Sequence, residues 1–372
     1  MPVVTESDLG HLRRALELAE GGRGRVSPNP LVGAVIVRDG ETLGEGFHAE
    51  LGGEHAEAAA LADARGSGYD PAGATMYVTL EPCAHQGRRP PCAPVIAAAG
   101  IARVVIGCDD PSEKASGRGP GILRDEGVEV EFAEGAEAAA ARLLVQPFRK
   151  HVRTGLPLVV HKAAVSLDGR TASATGDSRW ISGSESRELV HHWRADADAI
   201  AVGIGTALAD DPLLTARDVD AARQPRRIVF DSRARLPLDS QLVATAAEVP
   251  VTVICGAEAP ADRVAALRDA RVDVLAVPGE RAEVTPALAE LGRREVTSLL
   301  LEGGATLAGA FLEAGEVDEL RLFLAPLIVG GDAPPLLRGS GAGRIADATR
   351  PLAVEWERSG DDMLARARLK EW

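Results

Sequence analysis

Short aliphatic runs alternate with helix-patterned stretches along the whole chain, and this alternation constrains the fold more than any other feature. LVGAVIV (31–37), TMYVTL (75–80), ARVVIG (102–107) and VEVEF (128–132) are all of strand length. Between them, EHAEAAALADA (54–64) and CAPVIAAAG (92–100) carry their apolar residues at helical spacing. Strands and helices in turn call for a layered α/β domain. Ahead of them, ESDLGHLRRALELAE (6–20) puts Leu9, Leu12, Leu16 and Ala19 on one helical face, and Gly21-Gly22 stops the helix. LVGAVIVRDGETLGEGFH reads as a hairpin turning at Asp39-Gly40.

After a polar, basic stretch from Pro147 to Pro157 the alternation starts again. PLVVHKAAV, ADAIAVGIGTAL, RRIVFDS, VPVTVICG, VDVLAVP, TSLLLEGGATLAGAFLEAG and ELRLFLAP include near-continuous apolar runs, as expected of a sheet covered on both faces. The stretch between the two series reads as a hinge. At 372 residues the chain suits two domains, placed at 1–148 and 155–372. Hydrophobic residues make up 45%, enough for two cores, and at 3% aromatic those cores must be mainly aliphatic.

A formal net charge of −14 argues against general nucleic-acid binding, which needs clustered Lys and Arg. The N-terminus lacks the apolar run of a signal peptide, and no stretch of about 18 apolar residues offers a membrane span. With no export signal, the four cysteines read as metal ligands or core thiols rather than disulfides. Cys108 and Cys255 lie in or after aliphatic runs and read as buried thiols.

Cys83 and Cys92 are different. They stand in EPCAHQGRRPPCAP, downstream of His55-Ala56-Glu57. One histidine and two cysteines are three ligands for zinc, with a fourth position left for water. Cysteines near helix N-termini are favoured as thiolates. Glu57, which need not bind the metal, suits the proton shuttle that zinc-dependent deamination requires. Alone, the cysteines would fit core thiols or a structural zinc knot, and His-x-Glu alone would mean nothing. Eight residues separate Cys83 from Cys92, against two in the short form of the motif, and the longer segment carries His85 and Arg88 toward the metal.

SPNPLVGAVIV, HAE, TLEPCAHQGRRPPC and DDP…GRG together resemble the bifunctional deaminase/reductase family of riboflavin biosynthesis, over nearly the whole chain. The resemblance implies a cytidine-deaminase-like three-layer N-terminal domain. The implied substrate is 2,5-diamino-6-ribosylamino-4(3H)-pyrimidinone 5′-phosphate, with Asn29, His48, His85, Arg88 and Asp110 lining its pocket. Asn29 offers both donor and acceptor to a base edge, and Arg88 suits a phosphate.

The second half has no G-x-G-x-x-G fingerprint, since GIGTAL lacks the third glycine, and no Walker pattern. LLLEGGATLAG does read as strand, glycine turn and helix start, a geometry that points N–H groups at a phosphate. SLDGR, GDSRWIS, ADDPLLTAR and EGGATLAG resemble the reductase half of the same family. That implies a dihydrofolate-reductase-like fold and NADPH-dependent reduction of the ribosyl chain to ribityl. Carried over, Ala164, Trp180, Thr206, Asp210, Ser232, Gly303, Gly304, Ala305 and Thr306 contact NADPH. Ser178, Arg194, Leu214, Arg217 and Glu302 contact substrate, with Lys162 a polar partner of the ribose hydroxyls. Arg194 and Arg217 suit a 5′-phosphate. The competing reading is a nucleic-acid-editing zinc deaminase with an accessory nucleotide-binding domain; it needs a basic face and the short cysteine spacing. The expected form is a cytoplasmic homo-oligomer acting on small phosphorylated pyrimidines, with neither nucleic acid nor membrane as partner.

Overall fold

Side-chain alternation sorts the first sheet into two faces. The computed structural model describes residues 4–84, 90–112 and 115–372. Strands β1 (Gly33–Arg38), β2 (Glu41–Phe47), β3 (Thr75–Leu80), β4 (Arg103–Cys108) and β5 (Glu129–Phe132) lie in the order β2-β1-β3-β4-β5. β1 is antiparallel to both neighbours, while β3, β4 and β5 run parallel. Ile36, Met76, Val78, Val104 and Ile106 point to one face. There they meet helices α2 (Ala56–Gly66), α3 (Cys92–Ala98) and α4 (Arg118–Asp125). Val35, Val37, Tyr77 and Val105 point to the other, against α1 (Glu6–Ala19). A period of two in the strands thus produces three layers.

Two glycines of β2 bring α2 into backbone contact with the sheet. A Cβ at Gly44 would stand 2.5 Å from the Ala60 carbonyl, and one at Gly46 would collide with the backbone of Ala56 and Ala60. The alanines of α2 complete this close fit, which sets the helix N-terminus, with His55 and Glu57, at the edge of the sheet. The hairpin turns at Asp39 and Gly40, both with positive φ, as the Asp-Gly pair predicts.

Helices α5 (Gly135–Leu144) and α6 (Gln146–Thr154) close this unit. The stretch read as a hinge is therefore mostly helical: Pro147 falls in the first turn of α6, where a missing N–H costs nothing. The chain divides into two compact units, Met1–Thr154 with Trp372, and Gly155–Glu371.

The second unit is built on nine strands in the order β10-β9-β8-β7-β11-β6-β12-β14-β13. They are β6 (Leu158–Ser166), β7 (Ala199–Gly203), β8 (Arg226–Phe230), β9 (Val251–Gly256), β10 (Asp273–Val277), β11 (Ser298–Leu301), β12 (Glu319–Ala325), β13 (Ala353–Ser359) and β14 (Asp362–Arg368). β6 to β12 pair in parallel, and the β13–β14 hairpin adds an antiparallel edge. Helices α7 (Ser184–Asp196), α8 (Ile204–Asp210), α9 (Gln241–Ala244) and α10 (Ala261–Asp269) cover one face. Helices α11 (Val284–Arg293) and α12 (Ala305–Glu313) cover the other. Burial on both faces is why these strands read as continuous aliphatic runs.

Candidate active sites

In the first unit, two helix starts and one strand end converge. His55 is the N-cap residue of α2, Glu57 lies in its first turn, and Cys92 opens α3. Cys83 follows β3 by three residues. His55 Nδ1 lies 3.2 Å from Cys92 Sγ and 3.6 Å from Cys83 Sγ, and the three ligand atoms all fall within 4.8 Å of one another. Tetrahedral zinc with ordinary Zn–S and Zn–N bonds needs ligand separations of about 3.5–3.8 Å. The donor set and its spacing therefore fit zinc. The Cys92 N–H donates to Cys83 Sγ at 3.3 Å. Hydrogen bonds from Cys92 and His55 hold the Cys83 thiol down at about 4, and the partner thiol, bonded to it, is pushed up. Glu57 is only 4% exposed, and burial raises its carboxyl above the usual range. A buried carboxyl beside three zinc donors is suited to carrying a proton.

Asn29 and His48 form one unit of this site. Asn29 Nδ2 donates to His48 Nε2 at 3.1 Å, and His48 Nδ1 donates to the Glu54 carbonyl at 2.8 Å. Burial pushes the pKa of the ring down, against the hydrogen bond to Glu54, and with Nδ1 bonded to Glu54 and Nε2 to Asn29 the ring orients Asn29. Asp110 is buried after β4 and accepts the Ser112 N–H at 2.8 Å. His85 and Arg88 lie outside the described residues. Sequence reasoning did not single out Glu81 for a role. It is buried beside Asp110, one carboxylate oxygen has no hydrogen-bond partner among the described residues, and burial pushes it up to about 7. Its place in the cysteine motif was the available signal.

In the second unit a cavity of about 910 Å³ opens where parallel strands end. Its lining comes from β6, from the residues that follow β7 and β11, and from the 176–182 and 209–217 segments. Ala164, Trp180, Thr206, Asp210, Gly303, Gly304, Ala305 and Thr306 all line it, as do Lys162, Ser178, Arg194, Leu214, Arg217 and Glu302. Ser232 does not; its hydroxyl accepts the Ala282 N–H at 3.1 Å, and it lies apart from the lining. Gly303 and Gly304 lead into α12, and the Gly304 N–H donates to Thr206 Oγ1 at 3.2 Å. A Cβ at Gly304 would stand 3.2 Å from that hydroxyl, so the bare backbone relieves a tight contact in this glycine cradle. Trp180 is 69% exposed, with the Arg187 guanidinium 4.6 Å from its ring centre.

Arg194 is already committed. Its Nε and Nη2 donate to the two Glu302 oxygens at 2.7 and 2.8 Å, and Nη1 donates to the Thr215 carbonyl at 3.2 Å. Burial alone would raise the Glu302 carboxyl, but Arg194 and the Lys162 charge bring it down to about 2. Burial pushes the Lys162 ammonium down, against the attraction of Glu302. Arg217 is exposed in the cavity lining, with Nη1 donating to Thr215 Oγ1 at 3.0 Å.

Known proteins join these two sites in one chain. Residues 5–108 match the cytidine and deoxycytidylate deaminase zinc-binding region, and residues 157–365 match the RibD C-terminal domain. The riboflavin biosynthesis protein RibD of Actinobacillus pleuropneumoniae is 41% identical over 363 residues, covering 97% of this chain and 95% of that protein. RibD of Escherichia coli is 40% identical over 369 residues, covering 95% and 97%. The structure of Acinetobacter baumannii RibD superposes with a TM-score of 0.86 at 37% identity, covering 98% of this chain and 99% of that one. Fold and sites define a zinc-binding deaminase joined to a reductase, each on its own α/β sheet. The chain belongs to the RibD family, the bifunctional deaminase/reductases of riboflavin biosynthesis. Zinc serves its first reaction and NADPH its second, and the nucleic-acid-editing reading is set aside.

Proposed function

We propose that the first unit, which runs through α6 to Thr154 rather than ending at 148, deaminates 2,5-diamino-6-ribosylamino-4(3H)-pyrimidinone 5′-phosphate and that the second, from Gly155, then reduces the ribosyl chain of the product to ribityl. A Thermotoga maritima structure with a TM-score of 0.86 and 34% identity is described as a diaminohydroxyphosphoribosylaminopyrimidine deaminase and 5-amino-6-(5-phosphoribosylamino)uracil reductase, which supports this pairing. The observation that carries it is the meeting of His55, Cys83 and Cys92 with buried Glu57 in one unit, and of the glycine cradle with Lys162 and Glu302 in the other.

In the deamination, water adds to the carbon that bears the exocyclic amine and ammonia leaves. His55, Cys83 and Cys92 would hold the zinc, which when bound acts as a Lewis acid and eases deprotonation of water. Glu57 takes the proton from the attacking water and returns it to the departing nitrogen. Asn29, oriented by His48, pairs with the pyrimidine edge, and Asp110, His85 and Arg88 complete the pocket. In the reduction, NADPH when bound would supply the hydride that C1′ of the opened ribose receives, and the attached nitrogen takes a proton from water. Gly303 to Thr306, with Ala164, Trp180, Thr206 and Asp210, hold the nucleotide, and Ser232, outside the lining, is left out of this set. Lys162, kept in place by Glu302, pairs with the ribose hydroxyls; Ser178 and Leu214 frame the ring, and Arg217 takes the phosphate. Arg194 contributes by aligning Glu302 and the Thr215 carbonyl.

The chain acts as a homo-oligomer in the cytoplasm. Edge strand β13 exposes Val354 and Trp356, with Leu352 beside them, a surface suited to a second copy. Among the described residues no helix is long and apolar enough to cross a membrane. Elemental analysis of the purified protein tests the metal centre: about one zinc per chain is expected, and none would overturn the deaminase reading.

A further inference from the structure

We infer that His191 is a positioning residue for the reductase: its neutral imidazole fixes the segment that presents Arg217 to the substrate phosphate. The inference rests on the reductase reading of the second cavity. His191 and Arg194 stand three residues apart on α7 and so share a face. Both reach the same strap of chain. The Arg217 N–H donates to His191 Nδ1 at 3.2 Å, and Arg194 Nη1 donates to the Thr215 carbonyl at 3.2 Å. Gln224 grips Ala216 between them, accepting its N–H at 2.9 Å and donating to its carbonyl at 3.0 Å.

The strap needs these anchors. Leu214 sits at φ +51, a left-handed conformation that a bulky residue holds only when its surroundings impose it. Arg194 and Gln224 hold it through groups that do not titrate near neutrality. His191 differs, because Nδ1 accepts only while unprotonated. The groups facing the ring are Arg194 on its own helix, Arg217 and the Thr215 carbonyl on the strap, and Glu302 after β11. Burial, then the charges of Arg194 and Arg217, favour the neutral ring over the opposing pull of Glu302 and the Thr215 carbonyl. Below the ordinary histidine range the ring gains a proton, the Arg217 N–H loses its acceptor, and a third cation joins two arginines.

The test is steady-state reduction of 5-amino-6-(5-phosphoribosylamino)uracil with NADPH by the full chain, between about pH 5 and 8. His191→Ala should raise the KM for the pyrimidine about five- to ten-fold, as loss of one positioning hydrogen bond allows. Its kcat and its KM for NADPH should stay unchanged. His191→Gln, whose side-chain carbonyl can accept the same N–H, should recover most of the loss. The wild-type KM for the pyrimidine should rise in acid more steeply than that of His191→Gln; substrate phosphate titration is common to both and cancels. Superimposable profiles overturn the inference. So does a wild-type KM that falls in acid, which would make His191 a direct phosphate ligand, or a His191→Ala defect that strikes kcat and both KM values alike. A wild-type chain that oxidises no NADPH overturns the reductase reading and this inference with it.

Discussion

The two sites carry their chemistry in opposite ways. The deaminase concentrates it in a few residues at two helix starts and a strand end: three zinc donors and one buried carboxyl. The reductase disperses it around a cavity of about 910 Å³, over the ends of several parallel strands and the loops between them. The difference follows from the reactions. Hydrolysis of an amine needs a metal-ligand set and a proton carrier at fixed atoms. Hydride transfer needs no protein nucleophile, only two bound molecules held face to face. A concentrated site should fail at one substitution, whereas a dispersed one should weaken by degrees.

The largest effect is therefore expected from Glu57→Gln, which keeps size and polarity but removes the proton carrier. Deamination should fall by a factor on the order of 10² to 10⁴, with zinc content unchanged and reduction of the deaminated compound intact. Unchanged deamination would remove Glu57 from the mechanism. Next comes Glu302→Gln, which leaves the Arg194 guanidinium facing a neutral amide. Reductase kcat/KM should fall about 100-fold, since breaking a buried charge pair exposes the cost of the unpaired partner. Deamination by the same variant should match wild type; a loss there would mean that the sites are not separate. A smaller change is predicted for Gly304→Val. The added side chain meets Thr206 Oγ1 in the nucleotide cradle, and KM for NADPH should rise about ten-fold with KM for the pyrimidine unaffected. Equal effects on both would mean that the glycines serve packing alone. The smallest effect is expected from cutting the chain between Thr154 and Gly155, the boundary of the two units. Each fragment should keep its own reaction; two folded but inactive fragments would show that the sites are shared.

Legibility followed the same division. The zinc donors could be read because metal chemistry restricts residue type and because Cys83, Cys92 and the His55–Glu57 pair sit in short motifs. The strands could be read because burial on both faces makes them aliphatic. Helix α6 was hidden by Pro147, which reads as a breaker and is harmless in a first turn. The β13–β14 hairpin was missed because β13, VEWERS after Ala353, is exposed on both faces and spends its positions on charge rather than on aliphatic side chains. Its alternation and the turn at Gly360, with φ +60, were the available signals. The commitment of Arg194 to Glu302 could not be seen at all, because 108 residues separate them and only the sheet order brings β11 beside β7. The same holds for His191, whose partner strap is shaped by tertiary contacts. His48 gave only half its role: its residue type suits a ligand pocket, but the bonds to Asn29 and Glu54 appear only in three dimensions.

The central claim is that one chain performs deamination and then reduction at separate sites. It is tested most directly by incubating the purified protein with the diaminopyrimidinone phosphate, with and without NADPH, and identifying the products by mass. Without NADPH the compound should exchange NH for O and change no further; with NADPH it should then gain two hydrogens. Gain of two hydrogens while the amine is still present, at a rate equal to that seen after deamination, would contradict the order. Absence of the NH-for-O exchange in zinc-loaded protein would contradict the claim itself.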